Sequence, residues 1–305
     1  MEGKKIVVLG STDTDMVAAG ARIPVIGETV PGGTFTMTPG GKGANQAVAV
    51  ARLAAPGTCV FIAKVGDDNF GRETAVRFEK EGMDAKLIVD PVNPTGTAII
   101  FVDPEGRNSI RVVLGANGTL SPADADAYAA EIEGADTVLL QFETPLETVA
   151  AVAARAHRAG ARVVVNPAPA AEMPASLYAD ADILTPNETE AQILTGVEVT
   201  DEASAQRAAD ILHGRGTRTV IVTLGGKGAY YSAPEGRGLV PAEPVKAIDT
   251  VGAGDTFNGA LVVALSEGRA LADAIRFACK AAAVSVTRHG AQTSVPYRRE
   301  INEEK

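Results

Sequence analysis

The chain has 305 residues, 46% hydrophobic and 22% charged, enough for one large α/β domain or two ordinary ones and incompatible with extensive disorder. Its 28 basic and 38 acidic residues leave a formal charge of −10, which argues against general binding to nucleic acid or an anionic membrane, since both need a basic face. Cys59 and Cys279 lie far apart in apolar surroundings and read as buried small hydrophobes of a reducing cytoplasm; two cysteines make no zinc site.

Met1-Glu2-Gly3-Lys4-Lys5 leads straight into a strand over Ile6–Leu9, a run too short for a signal peptide, and no apolar stretch approaches bilayer length. A soluble cytoplasmic protein is expected. Residues 11–39 are rich in Thr, Gly and Pro, with alternating pieces such as Thr34-Phe35-Thr36-Met37. A helix over Ala44–Ala54, a strand over Cys59–Val65, a helix over Glu73–Glu81 and a strand over Lys86–Val89 follow. Residues 95–114 read as a hairpin, with Gly96–Val102 and Ser109–Val113 joined by Asp103-Pro104-Glu105-Gly106. Beyond it, helices are predicted over Ala123–Ile132, Leu146–Ala159, Ala203–His213, Asp255–Ser266 and Asp273–Val286. Strands are predicted over Thr137–Phe142, Val163–Asn166, Ile183–Thr185 and Thr219–Leu224. Apolar strands alternating with amphipathic helices imply an α/β fold with a mainly parallel sheet covered on both faces. In such folds ligands bind beyond the carboxyl ends of the strands. The chain reads as a single domain, 1–305, in which the insertions at about 13–39 and 95–114 build a small β-sheet lid; two unrelated surface hairpins are the alternative.

The densest chemistry lies in Asp249-Thr250-Val251-Gly252-Ala253-Gly254-Asp255-Thr256-Phe257-Asn258-Gly259. It reads as a glycine turn feeding a helix, where unpaired N–H groups and the positive end of the dipole hold an anion. Asp255 beside a phosphate points to a general base for phosphoryl transfer; an ordinary first-turn acid complementing the dipole is the plain alternative. The segment is no Walker A loop, because Gly41-Lys42 and Gly226-Lys227 are each followed by glycine, and G-x-G-x-x-G fails after Gly252 and Gly254. A nicotinamide-dependent dehydrogenase is disfavoured for the same reason, since Ile6–Leu9 is followed only by Gly10-Ser11-Thr12.

Together with Gly40-Gly41-Lys42-Gly43-Ala44-Asn45-Gln46-Ala47, the Asp249–Gly259 segment resembles the ribokinase-like (PfkB) carbohydrate kinases. So do Asn166-Pro167-Ala168-Pro169-Ala170, Thr185-Pro186-Asn187-Glu188-Thr189-Glu190, Thr223-Leu224-Gly225-Gly226-Lys227-Gly228 and Arg288-His289-Gly290-Ala291-Gln292, in order across nearly the whole chain. The resemblance implies a three-layer ribokinase-like fold, a homodimer through the lid sheet, and ATP-dependent phosphorylation of D-ribose at its 5-hydroxyl. Another sugar or a nucleoside as acceptor, or a non-catalytic sugar- or nucleotide-sensing module, are the competing readings.

The resemblance also implies roles for individual residues. Asp255 is the base, and the backbone of Gly252, Ala253, Gly254 and Asp255 forms the anion hole. Asp13, Thr14, Asp15, Gly41, Lys42, Gly43, Ala44, Asn45 and Glu143 line the sugar pocket. For Asp13 and Asp15 a turn is the alternative; for Asn45 and Glu143 it is helix capping. Asn187, Thr223, Leu224, Gly225, Gly226, Lys227, Gly228 and Gly254 bind ATP, and Asn187 and Glu190 orient Mg2+ through water, unless they serve only as a capping box. Asp249, Val251, Ser285, Arg288, Gly290 and Ser294 hold a monovalent cation, K+. The chain departs from the family at Asp13, where Asn is common: an amide donates to a sugar oxygen and an ionised carboxylate does not.

Overall fold

The computed structural model describes residues 4–301, so both ends of the expected 1–305 domain lie outside the described residues. The first half contains β1 (Ile6–Leu9), β2 (Asp13–Ala19), β3 (Thr34–Gly40), α1 (Lys42–Leu53), β4 (Cys59–Gly66), α2 (Asn69–Lys80), β5 (Asp84–Asp90), β6 (Gly96–Val102) and β7 (Asn108–Val113). Next come α3 (Pro122–Asp126), α4 (Ala129–Glu133), β8 (Thr137–Leu140), α5 (Leu146–Ala159), β9 (Arg162–Val165), α6 (Ala175–Asp180), β10 (Ile183–Leu184), α7 (Glu188–Thr195) and α8 (Glu202–Gly214). The chain closes with β11 (Thr219–Thr223), β12 (Ala229–Ala233), β13 (Gly236–Val240), α9 (Ala253–Ser266) and α10 (Leu271–Ser285).

Nine strands form the main sheet in the order β13-β12-β11-β10-β9-β8-β1-β4-β5, parallel except for the β12 and β13 edge. Period-2 alternation divides the apolar side chains between two cores. Ile6 and Val8 of β1 pack with α1, α9 and α10, whereas Val7 and Leu9 pack with α5 and α8. Continuous β-branched runs are thus buried on both faces, as a helix-covered parallel sheet requires. Local chemistry sets the helix ends. Asp68 and Asp201 cap α2 and α8, and Gly160 and Gly196, both left-handed, stop α5 and α7. Among the described residues, no helix is long and apolar enough to cross a membrane.

Two expectations need correction. The helix over Ala123–Ile132 is two short helices, α3 and α4, broken at Tyr128 (φ −117°, ψ 29°). Arg155 of α5 pairs with Asp126 at the end of α3 and Glu133 at the end of α4, tying both pieces to one point. The β12–β13 hairpin has no counterpart in the predicted elements, because Gly236 and Gly238 interrupt its apolar alternation.

The remaining strands form a separate sheet in the order β3-β2-β6-β7, with β2 and β6 parallel and the other pairs antiparallel. It combines both predicted insertions. β1 leads directly into β2, so the small sheet sits at the carboxyl end of the large one.

Helices α1 and α9 cross at Gly259. A Cβ there would lie 2.4 Å from the Ala49 Cβ and 2.9 Å from the Gln46 carbonyl oxygen. Neither neighbour has a flexible end that can yield. We expect Gly259→Ala to lose about 1–3 kcal/mol through overpacking. A urea midpoint equal to that of the parent, with unaltered slope, would show the crossing to be looser than this.

Candidate active site

The polar residues that end the central strands converge on the start of α9. Gly252 adopts the left-handed conformation (φ 74°) and no side chain caps the helix, so its first turn presents free backbone donors. Ala253 N–H reaches only Thr250 O, at 3.3 Å. Asp255, in that turn, is buried. Its two carboxylate oxygens accept from Asn45 Nδ2 at 2.9 Å and Gln46 Nε2 at 3.0 Å. Burial pushes the Asp255 carboxyl up, while the Lys42 ammonium and the two amides pull it back towards the anion. The same anionic neighbourhood, Asp255 first, holds the Lys42 ammonium charged.

Gln46 was quoted in the glycine-rich block but given no role, and it is the hub of this region. Its Nε2 also donates to Asn166 Oδ1 (3.0 Å), and its Oε1 accepts from Gln141 Nε2 (2.6 Å). From Asn166 the bonds continue to the Thr185 carbonyl; the Thr185 hydroxyl donates to Asn258, which donates to Gly254 O. Polar residues closing β-branched runs at Gln141, Asn166 and Thr185 were the available signal. Gly10 leaves the room, since a Cβ there would sit 2.1 Å from Gln141 Oε1.

The predicted sugar residues come together beside this hub. Gly43 lets α1 start against the exit of β1, where a Cβ would meet Gly10 C and Ser11 N at 2.6 Å. Ala44 N–H donates to Ser11 O. Glu143 does not cap α5, which begins after Pro145 with no side-chain cap; it accepts from Ser11 Oγ (2.6 Å) and Lys42 N–H (2.8 Å). Nor does Asn45 cap a helix: its Nδ2 goes to Asp255, and its buried Oδ1 has no protein partner. Asp13 and Asp15 lie on β2 rather than in a turn and share one face of the small sheet; Thr14 points to the other. Gly41 adopts φ 88°, placing its backbone against Thr12.

On the other side of Asp255 lies a cavity of about 420 Å3, lined by Asn187, Thr223, Gly225, Gly226, Gly228 and Gly254 among others. Its apolar wall of Val245, Phe257, Cys279, Ala282 and Val286 was not predicted, since these residues read as ordinary core. Leu224 packs in the core and Lys227 Nζ donates to Thr200 O, so neither side chain lines the cavity. Asn187 and Glu190 do form the capping box, with bonds of 2.8 and 2.9 Å. Burial pushes the Glu190 carboxyl up against the opposing pull of its backbone bond and Lys42.

Behind the anion hole, the Asp249 carboxylate accepts from Val251 N–H (3.0 Å) and Gly290 N–H (2.9 Å), joining the two loops predicted to hold a cation. Ser285 and Ser294 donate their hydroxyls to the carbonyls of Ala282 and Ala291, leaving their oxygen lone pairs free. The Arg288 guanidinium turns away to Glu300.

This architecture matches known proteins over its full extent. A ribokinase of Haemophilus influenzae is 45% identical over 301 residues, covering 98% of each chain. A deoxyribokinase of Salmonella typhimurium is 38% identical over 300 residues, covering 98% of this chain and 97% of the other. The structure of Arabidopsis thaliana ribokinase complexed with ribose and ATP superposes with a TM-score of 0.92 at 33% identity, covering 98% and 97%. The pattern that defines the pfkB family carbohydrate kinases matches residues 3–298, and the chain belongs to that family.

Proposed function

We propose that the protein phosphorylates D-ribose at its 5-hydroxyl, with ATP as donor, to give D-ribose 5-phosphate and ADP. One observation carries the reading: Asp255, held by Asn45 and Gln46, stands between a carboxylate-lined polar pocket and a nucleotide-sized cavity, in a helix turn that no side chain caps. Asp255 accepts the proton of the sugar's primary hydroxyl as that oxygen bonds to the γ-phosphorus; the bond to the β,γ-bridging oxygen breaks and ADP leaves. The N–H groups of Gly252, Ala253, Gly254 and Asp255 stabilise charge on the transferred group.

Asp13, Asp15, Glu143 and Asn45 bind the sugar hydroxyls, with Gly41, Lys42, Gly43 and Ala44 shaping the pocket; Thr14, whose side chain points to the other face of the small sheet, contributes backbone only. The glycines Gly225, Gly226 and Gly228 admit the nucleotide phosphates against bare backbone. The residues at the start of α7 fit Mg2+ held through its waters: Asn187 and Glu190 offer hard oxygen donors, too few to replace the water shell. Mg2+ brought in by ATP neutralises phosphate charge, and Asn187 and Glu190 would hold its water shell. The oxygens of Asp249, Ser285 and the carbonyls of Val251, Arg288, Gly290 and Ser294 likewise suit K+, which would stiffen the loop next to the anion hole.

Residues 1–305 act as one kinase domain, and the small sheet is its lid, excluding water from the transferred phosphoryl group. On the lid's outer face Phe35, Met37, Ile99 and Phe101 stand exposed, and β3 and β7 end in unpaired edges. A second copy packed there covers both, which makes the enzyme a homodimer; the two buried free thiols, Cys59 and Cys279, suit a reducing cytoplasm.

Asp255→Asn is expected to fold normally and to lose about 10²–10⁴ in kcat, the usual worth of a positioned base; single-turnover rates within threefold of the parent would remove Asp255 from that role. Replacing Na+ by K+ at constant ionic strength should raise turnover severalfold, and equal rates would count against the cation loop. ADP release across D-ribose, 2-deoxyribose, fructose, adenosine and no acceptor tests the whole reading. Preference for D-ribose is the expected result; preference for 2-deoxyribose would move the chain towards its deoxyribokinase relative, and silence with every acceptor would favour a sensing module.

A further inference from the structure

We propose that Asp13 and Asp15 share one proton at neutral pH, and that Asp13 uses it to donate a hydrogen bond to a sugar oxygen while Asp15 accepts from a sugar hydroxyl. The inference rests on the pocket reading above and extends it to the chemistry of recognition.

Alternation along β2 places both carboxyl groups on one face, and the register sets Asp13 between Gly40 of β3 and Gly96 of β6. A Cβ on Gly40 would lie 2.3 Å from Asp13 Oδ1 and 2.7 Å from each oxygen of Asp15. The two side chains therefore converge on a single point, in space that the missing Cβ leaves open. Asp13 Oδ1 is buried there with no protein partner.

The surrounding elements supply more negative charge. Glu143 beyond β8 faces both acids, and Asp255 of α9 faces Asp13. Lys42 of α1 is the facing cation, and its strongest interaction is with Asp255 rather than with the pair. Asn117, which packs against Gly96, is turned to Thr12: its Nδ2 donates to Thr12 O and its Oδ1 accepts from Thr12 N–H.

Two ionised carboxylates do not persist in such a site; one of the pair keeps its proton, turned towards its partner until a sugar oxygen takes the partner's place as acceptor. Burial, then Asp15 and Glu143, push the Asp13 carboxyl up to about 8; burial above all pushes Asp15 up to about 6. A carboxylic acid has one O–H donor and spare acceptor capacity, the inventory of an amide cut down by one hydrogen. The acid at position 13 can thus do an amide's work, but only while protonated. The sign follows: sugar affinity is intact below the upper titration of the pair and falls as pH rises through it.

The test is calorimetric titration of the full chain with D-ribose, without nucleotide, from pH 6 to 9.5 in buffers of different ionisation enthalpy. Kd should weaken about tenfold by pH 9, because each binding event needs one proton on a group titrating near 8. At pH 8.5 the parent should take up most of one proton on binding. Asp13→Asn, a permanent donor, should bind with a Kd independent of pH over this range and take up none. A flat parent Kd without proton uptake, or the same slope in Asp13→Asn, overturns the shared proton and leaves the pocket standing. Absence of D-ribose binding at every pH would instead remove the pocket reading and this inference with it. Proton uptake by the parent is decisive even if the variant misfolds.

Discussion

The site depends on how closely α1 and α9 approach one another. Gly259 removes the side chain that would hold the helices apart, and the amides of Asn45 and Gln46 then reach across the crossing to the Asp255 carboxylate. A buried carboxylate without such donors would take up a proton and lose its basicity. Packing between two helices therefore also draws a buried proton acceptor back towards its anion, alongside the larger pull of the Lys42 ammonium. The same amides leave Asp255 no freedom to swing towards the anion hole it faces.

Gln46 extends this constraint into the sheet. Each hydrogen of its amide nitrogen goes to a different acceptor, and its oxygen is matched to Gln141. A buried amide whose own groups are all matched specifies geometry rather than adding much net stability. Here it registers the ends of β8, β9 and β10 against the first turn of α9. The pocket walls are thus set by strand ends, not by the surface loops that join them.

Much of this was legible in sequence because it is local. β-branched runs such as Ile6–Leu9 and Thr219–Thr223 have few other uses, and the hairpin over 96–113 announced itself through alternation around Asp103-Pro104-Glu105-Gly106. The glycine blocks were legible as motifs; that Gly10, Gly40, Gly43 and Gly259 are places where backbone or side chains approach closely is visible only in the fold. What stayed hidden is long-range. Gln46 pairs with residues 120 and 209 positions away, and nothing in its alanine-rich surroundings separates it from a solvated helix residue. The apolar nucleotide wall failed to register for the opposite reason: Phe257, Cys279 and Ala282 look like core because most of their surroundings are core. Asp13 was legible as a departure, but its consequence depends on the neighbours that folding brings to it.

β2 has a property that none of its residues has alone. Its inward side chains include the two acids proposed to meet the sugar, and its outward side chain Met16 lies in register with Met37 and Ile99 on the apolar face of the small sheet. One pleat of backbone separates the two. Any sideways slip large enough to repack the outer layer must carry Asp13 and Asp15 with it, because a strand moves as a stiff ribbon. A substitution that repacks the outer face of β2 is therefore also felt at Asp13 and Asp15, one pleat away.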